Sequence, residues 1–170
     1  MGRYPKLFLS GGAGFTNDIT QVPLIATHWE GAIGLSGPVP FDLLYRGEIS
    51  LGADPFQYKG LKYTSNVRMQ TIVLRFYPIK SFFVSMGYGV ARMGTDSTIY
   101  TAGPLTDTKL GPSYDQTPVI TAGAGYCGGY FYAELRDNFG VRDIRLYDQQ
   151  ATSFQELTFV AGVYFRIGPP

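Results

Sequence analysis

Alternation between two kinds of side chain is the feature that most limits how this sequence can fold. From residue 42 to residue 53, every second side chain is apolar or small, and the positions between them include Asp42, Arg46 and Glu48. Successive side chains of a β-strand point to opposite faces of the sheet. A period of two over about ten residues therefore predicts a long strand with one apolar face and one face that carries an ion pair.

Eight segments share this alternation: 6–15, 29–36, 42–53, 66–77, 82–93, 118–127, 130–141 and 154–167. The gaps between them alternate in length. The long gaps are 16–28, 54–65, 94–117 and 142–153, and the short ones are 37–41, 78–81 and 128–129. Long loops then gather at one end and tight turns at the other. This arrangement predicts an all-β fold, a single domain over residues 1–170 that forms a closed antiparallel up-and-down barrel of about eight transmembrane strands.

Small residues decide which face of the barrel is inside. The faces opposite the apolar ones are rich in Gly, Ser and Thr, as at Gly12, Gly14, Gly87, Gly89 and Thr121. Such residues suit the crowded interior of a narrow barrel and make a poor water-exposed surface. The apolar face is therefore expected to meet lipid. The low charged fraction of 16% agrees, and a net charge of +1 without a basic run argues against nucleic-acid binding.

Charged residues inside the predicted strands form a candidate lumen network. Its members are Glu30, Arg46, Glu48, Arg75, Glu134, Arg136, Glu156 and Arg166. An eight-stranded barrel has room inside only for side chains, so paired Arg and Glu residues would plug it. A gated narrow passage, opened by a switch of ion-pair partners, is the alternative. The same phasing puts Arg68 and Gln70 on the lipid side, where we expect them to lie above the hydrocarbon.

Aromatic side chains are expected to form girdles at the two membrane interfaces. The residues assigned to the lipid-facing girdles are Phe15, Trp29, Tyr77, Phe82, Phe131, Phe159 and Phe165. The longest gap, 94–117, holds a candidate partner-binding set, Tyr100, Leu105, Leu110 and Tyr114. A long loop of this kind is usually functional or mobile.

No pattern for catalysis, a metal or a cofactor is visible in the sequence. The chain has one histidine, His28, which is predicted to lie in or beside the first loop, and one cysteine, Cys127. Glu48 and Glu134 each have an arginine two residues away on the same strand face, which favours a structural role over acid–base catalysis. We therefore expect a protein that is not an enzyme and that binds no metal or cofactor.

The last predicted strand carries the most specific resemblance. Leu157, Phe159, Ala161, Val163 and Phe165 alternate up to Ile167, and the chain continues as Gly168-Pro169-Pro170. This strand resembles the closing strand of bacterial outer-membrane barrels, which the assembly machinery reads, and the whole pattern resembles the small eight-stranded OmpA/OmpX-type family. The resemblance implies a location in the bacterial outer membrane after removal of a signal peptide.

The resemblance also implies partners and a role. The expected partners are membrane lipids, lipopolysaccharide, the barrel assembly machinery and, through the long loops, other envelope proteins. The expected role is structural, adhesive or complex-forming. Two alternatives stay open: a narrow channel or transporter for small or hydrophobic solutes, and a soluble lipocalin-like barrel that binds a ligand. The second is disfavoured because no Gly-x-Trp signature occurs near the first strand.

Overall fold

The computed structural model describes ten stretches of the chain: residues 6–18, 24–37, 40–52, 56–58, 61–63, 65–95, 98–101, 107–110, 113–145 and 153–167. The strands in these stretches are β1 (Lys6–Asp18), β2 (Leu24–Ser36), β3 (Phe41–Gly52), β4 (Phe56–Tyr58), β5 (Leu61–Tyr63), β6 (Ser65–Ile79), β7 (Phe82–Thr95), β8 (Thr98–Thr101), β9 (Asp107–Leu110), β10 (Ser113–Gly128), β11 (Phe131–Gly140) and β12 (Gln155–Ile167).

Eight of these strands close into a barrel in the order β1-β12-β11-β10-β7-β6-β3-β2. All neighbours pair antiparallel, and the barrel closes where β1 pairs with β12, from Leu7 opposite Ile167 to Asp18 opposite Glu156. The prediction of a closed, antiparallel, eight-stranded barrel is therefore confirmed. Among the residues that the structure describes, no helix is long and apolar enough to cross a membrane.

The four short strands form a second sheet at the loop end of the barrel, in the order β4-β5-β8-β9. The β4–β5 hairpin belongs to the connection between β3 and β6, and the β8–β9 hairpin to the connection between β7 and β10. Leu61 of β5 pairs with Tyr100 of β8. Backbone pairing therefore links two connections that are predicted from the sequence as separate loops.

Several barrel strands are longer at the loop end than the sequence predicts. β2 begins at Leu24 instead of residue 29, and β10 begins at Ser113 instead of residue 118. Much of the predicted 94–117 loop is therefore strand. The physical reason is that neither added stretch alternates between apolar and polar residues. β2 begins with the three apolar residues Leu24, Ile25 and Ala26, and β10 begins with the mostly polar stretch from Ser113 to Thr117. Backbone hydrogen bonds continue the strand without that pattern.

The turn between β10 and β11 shows why glycine is needed there. Gly129 has a φ of 63°, a left-handed conformation that other residues adopt at a steric cost. It lies in the two-residue turn Gly129-Tyr130, one position later than predicted. This turn and the Lys80–Ser81 turn lie at the end of the barrel opposite the second sheet.

The two faces of the barrel differ sharply in side-chain size. Large apolar side chains cover the outside; Ile72 is 60% exposed and Met86 is 68% exposed. On the inside, small residues let neighbouring strands and side chains approach. A Cβ atom at Gly89 would collide with the backbone oxygen of Gln70. Close packing inside and an apolar surface outside are what a narrow barrel in lipid requires.

Candidate functional site: the charged cluster in the barrel

Six charged side chains meet in the middle of the barrel and are called the lumen network here. They are the carboxylates of Glu30, Glu48 and Glu134 and the guanidinium groups of Arg46, Arg75 and Arg136. All six residues are buried. Three negative and three positive charges balance, as burial of charge demands.

Glu134 of β11 is the first centre of the lumen network. Its Oε2 atom accepts hydrogen bonds from Arg46 Nη1 at 3.1 Å and from Arg75 Nη2 at 2.8 Å. Its other oxygen accepts one from Ser85 Oγ at 2.7 Å. These three partners come from three different strands, so one carboxylate ties together distant parts of the barrel wall.

Arg136, two residues further along β11, is the second centre. Its Nη2 atom lies 2.5 Å from Glu30 Oε2 and 2.6 Å from Glu48 Oε2. Arg46 Nε lies 2.9 Å from Glu48 Oε1 and so connects the two centres. The hydroxyl of Tyr132 donates to Glu30 at 2.5 Å. The network is therefore continuous across the lumen.

His28 lies inside the barrel, and the prediction that it belongs to a loop region is wrong. It lies in β2, because that strand begins before the segment marked by apolar alternation. Its side chain is fully buried. Its Nε2 atom is 2.9 Å from Arg136 Nη2, which can only donate. Nε2 must then accept, which leaves Nδ1 to donate to Ser50 Oγ at 3.0 Å. The spacing of two residues between His28 and Glu30 was the signal that could have placed it.

A metal site could be suspected around His28, because one ligand atom from each of His28, Glu30 and Glu48 lies within 4.8 Å of the others. The Nη2 atom of Arg136, however, contacts all three residues. The guanidinium already supplies the positive charge that a metal ion would bring. The geometry favours an ion-pair cluster over a metal centre.

The Ser50–His28 hydrogen bond also resembles the nucleophile and base of a hydrolase. Two observations argue against that chemistry. In a hydrolase triad a carboxylate orients the histidine through its second ring nitrogen. In this protein the second ring nitrogen of His28, Nε2, contacts Arg136. His28 is 0% exposed and Ser50 is 3% exposed, so neither side chain is open to solvent. The pair therefore extends the polar packing of the lumen.

Apolar layers border the lumen network on both sides. On the turn side, Phe83, Cys127, Tyr132 and Val160 pack together, and the guanidinium carbon of Arg75 lies 4.5 Å from the centre of the Phe83 ring. On the loop side, one cluster combines barrel residues with Ile144 and Phe154 from the connection between β11 and β12; its barrel members are Val67, Met69, Ala91 and Val119. The charges are enclosed between two apolar layers.

Two of the eight residues predicted for the lumen network do not join its ion pairs. Glu156 is buried and interacts with the hydroxyl groups of Thr16 and Ser50. Arg166 is exposed, and its guanidinium carbon lies 5.5 Å from the centre of the Tyr164 ring, so its assignment to the network is wrong. The period of two places Arg166 on the inner face correctly, but it lies at the turn-end mouth.

Six of the seven predicted girdle residues are exposed on the outer face: Phe15, Trp29, Phe82, Phe131, Phe159 and Phe165. Tyr77 is not lipid-facing, and its assignment is wrong. Its hydroxyl donates to Asp42 at 2.7 Å, and its ring centre lies 5.7 Å from that of Phe83. In β6, Tyr77 has the same parity as Arg75 and therefore faces inward.

The predicted partner-binding residues do not share one loop. Tyr114 lies in barrel strand β10, where its outward-facing side chain contacts Arg92, so its placement in a loop is wrong. Tyr100 lies in β8 and Leu110 in β9, in the second sheet. Leu105 lies outside the described residues.

No family model matches the chain, and no curated protein sequence matches it. Solved structures do. Ail, the attachment invasion locus protein of Yersinia pestis, has a TM-score of 0.66 at 8% identity, over 96% of this chain and 100% of Ail. The N-terminal β-barrel domain of Pseudomonas aeruginosa OprF has a TM-score of 0.58 at 14% identity, over 95% of this chain and 100% of that domain.

Neisserial surface protein A has a TM-score of 0.57 at 9% identity, over 94% of this chain and 97% of that protein. At these identities the comparisons speak to architecture, and they agree with the resemblance seen in the closing strand. The chain has the fold of the small eight-stranded outer-membrane β-barrels.

Proposed function

We propose that this chain is an integral β-barrel of a bacterial outer membrane with a closed lumen, and that it acts through its loop end in a structural, adhesive or complex-forming role. The observation that carries the proposal is the charge-balanced lumen network enclosed between two apolar layers. A barrel of this kind has no internal path to offer, which leaves its rim and loops as the surfaces for function.

The height of the apolar surface supports a membrane location. Phe82 and Arg92 lie ten residues apart on β7, and both point outward. At a rise of about 3.3 Å per residue and a tilt of about 40°, they are separated by about 25 Å along the barrel axis. Bacterial outer-membrane barrels carry an apolar band about 25 Å tall. The outer face between these two residues fits that band.

The energetics of the lumen network support a closed state. A water path would have to separate Glu134 from Arg46 and Arg75, or Arg136 from Glu30 and Glu48. Breaking a buried pair by removing one partner costs about 3–5 kcal/mol because the other charge is left without compensation. Several such pairs would have to open together, which makes spontaneous gating rare.

The loop end is the surface we assign to partners. The β4-β5-β8-β9 sheet joins two connections into one structure. Ail, which shares the fold, has been solved in complex with the heparin analogue sucrose octasulfate. By analogy, we propose loop-mediated binding to other envelope proteins or surface ligands, contacts of the barrel wall with lipids and lipopolysaccharide, and recognition of β12 by the assembly machinery.

Two measurements test the proposal. The protein expressed with an export signal should fractionate with outer membranes and show heat-modifiable migration on a denaturing gel. In planar bilayers, the same preparation should give no single-channel conductance. Steady conductance steps would favour the narrow channel or transporter instead. A protein that is soluble and monomeric without detergent would favour the lipocalin-like alternative and would overturn the membrane location.

A further inference from the structure

Two arginines face each other on the outside of the barrel. Arg68 of β6 and Arg92 of β7 are direct register partners, and both are exposed on the face that carries Ile72 and Met86. Like charges directly opposite each other on neighbouring strands are destabilising. A pair of this kind, on a face that is mostly apolar, is favourable only where a negative charge lies close by.

A small cavity lies between these arginines. It has a volume of about 100 Å³ and is lined by Asn66, Arg68, Arg92 and Tyr114. One water molecule needs about 10–15 Å³ of such space, so a group larger than a water molecule fits. The guanidinium carbon of Arg92 lies 4.4 Å from the centre of the Tyr114 ring, which holds this arginine at the cavity.

The chain does not supply the compensating anion from the described residues. None of the ion pairs formed between described side chains includes Arg68 or Arg92. Asp115, next to Tyr114 in sequence, is engaged elsewhere: it lies 3.4 Å from Arg142 Nη2 and accepts the backbone N–H of Arg145 at 2.8 Å. The arrangement contrasts with the lumen network, where carboxylates contact every arginine.

The height of the cavity on the barrel is the basis for choosing an anion. Arg92 lies about 25 Å above Phe82 along the barrel axis, at the upper edge of the apolar band. Lipid headgroups occupy that level. Arginine binds phosphate oxygens with two parallel hydrogen bonds, and tyrosine is favoured at membrane interfaces.

We propose that Arg68, Arg92, Asn66 and Tyr114 form a site on the barrel wall for the phosphate-bearing headgroup of an outer-leaflet lipid. The inference rests on the membrane location given in the proposed function. It deepens that proposal, because it assigns the preference for one kind of lipid to a single site on the barrel wall. The bound lipid stays in the bilayer, with its phosphate between the two guanidinium groups and its acyl chains along the apolar face below.

Spin-labelled lipids test the site directly. The full chain is refolded into phosphatidylcholine vesicles that contain trace spin-labelled phosphatidic acid or spin-labelled phosphatidylcholine, and the motionally restricted fraction of each is measured. The wild type should restrict phosphatidic acid severalfold more strongly than phosphatidylcholine. The double variant Arg68→Gln/Arg92→Gln should lose most of this preference. Arg166→Gln, which removes an exposed arginine at the opposite end, should keep it.

Three controls make the outcomes distinct. Heat-modifiable migration checks that each variant is folded, and Arg68→Lys/Arg92→Lys, which keeps the charge without the planar donor pair, should keep part of the preference. An unchanged preference in Arg68→Gln/Arg92→Gln, or an equal loss in Arg166→Gln, would overturn the inference. Loss of the wild-type preference on addition of inorganic phosphate at constant ionic strength would assign the site to free phosphate instead. A wild type that does not insert at all would contradict the proposed function, not the site alone.

Discussion

Arginines inside and outside this barrel have opposite surroundings, and strand β6 shows both. Arg75 points inward, is buried, and contacts Glu134 at 2.8 Å. Arg68, seven residues away and therefore on the other face, lies opposite Arg92. Buried charges are costly unless they are paired, and inside the barrel the chain itself supplies the carboxylates. On the outer face the described residues give Arg68 and Arg92 no ion-pair partner, and this difference is the basis for the lipid site proposed above.

The largest expected effect comes from a substitution inside the barrel, at the carboxylate that pairs with the buried arginines. Glu134→Gln removes the carboxylate that faces Arg46 and Arg75; Arg46 keeps Glu48, whereas Arg75 is left buried without an ion-pair partner among the described residues. We expect the free energy of unfolding to fall by about 3–5 kcal/mol. Urea unfolding of the protein in lipid vesicles measures it. A loss below 1 kcal/mol would show that Glu134 is not the centre of the lumen network.

The next effect tests the outside. Ile72 lies midway between Phe76 and Arg68 on the outward face of β6, near the middle of the apolar band. Ile72→Lys should cost about 2–4 kcal/mol, because a lysine near the bilayer midplane must leave water. Gln70→Lys, closer to the interface on the same face, is the matched variant and should cost about 0–1 kcal/mol. Equal costs at the two positions would argue against the assigned band.

A third, smaller effect compares the packing of the two faces. Gly89→Ala puts a Cβ against the backbone of Gln70, whereas a Cβ at Gly47 meets nothing within 4 Å. Overpacking at Gly89 should cost about 1–3 kcal/mol. Gly47→Ala should leave unfolding nearly unchanged. If Gly47→Ala is the more damaging of the two in the same urea experiment, the packing assignment is incorrect.

The smallest effect concerns an ion pair at the rim of the barrel. Asp115 and Arg142 are partly exposed and lie 3.4 Å apart. Asp115→Asn should lower the free energy of unfolding by no more than about 1 kcal/mol, since exposed pairs contribute little. The comparison with Glu134→Gln then measures how much burial adds to an Arg–carboxylate pair. If Asp115→Asn lowers the free energy of unfolding as much as Glu134→Gln does, burial does not strengthen the pair.

Period-two alternation is enough to predict the eight barrel strands, the closed barrel and the inner or outer face of most residues. It misses the start of β2 and with it His28, because a strand can continue on backbone hydrogen bonds where apolar and polar residues do not alternate. It places Arg166 on the correct face but does not show that this residue lies at a mouth of the barrel. Tyr77 is assigned to a girdle because it is aromatic. Its position two residues from the inward-facing Arg75 predicts the inner face, where the structure places it.

The partners within the lumen network could not be predicted from the sequence. Glu48 and Glu134 each have an arginine two residues away on their own strand, yet Glu134 also binds arginines of β3 and β6. Such contacts depend on how the tilted strands bring distant positions to one height, which single-strand patterns do not encode. The Arg68–Arg92 pair was hidden for the same reason, since it requires the register between β6 and β7.

The most direct test of the central claim uses the single tryptophan of the chain. Trp29 points outward and is 56% exposed. If the outer face meets lipid, Trp29 fluorescence in refolded vesicles should be blue-shifted, strongly quenched by lipids brominated in the upper acyl chain, and protected from aqueous iodide. Efficient iodide quenching without quenching by brominated lipid would place this face in water and would contradict the account.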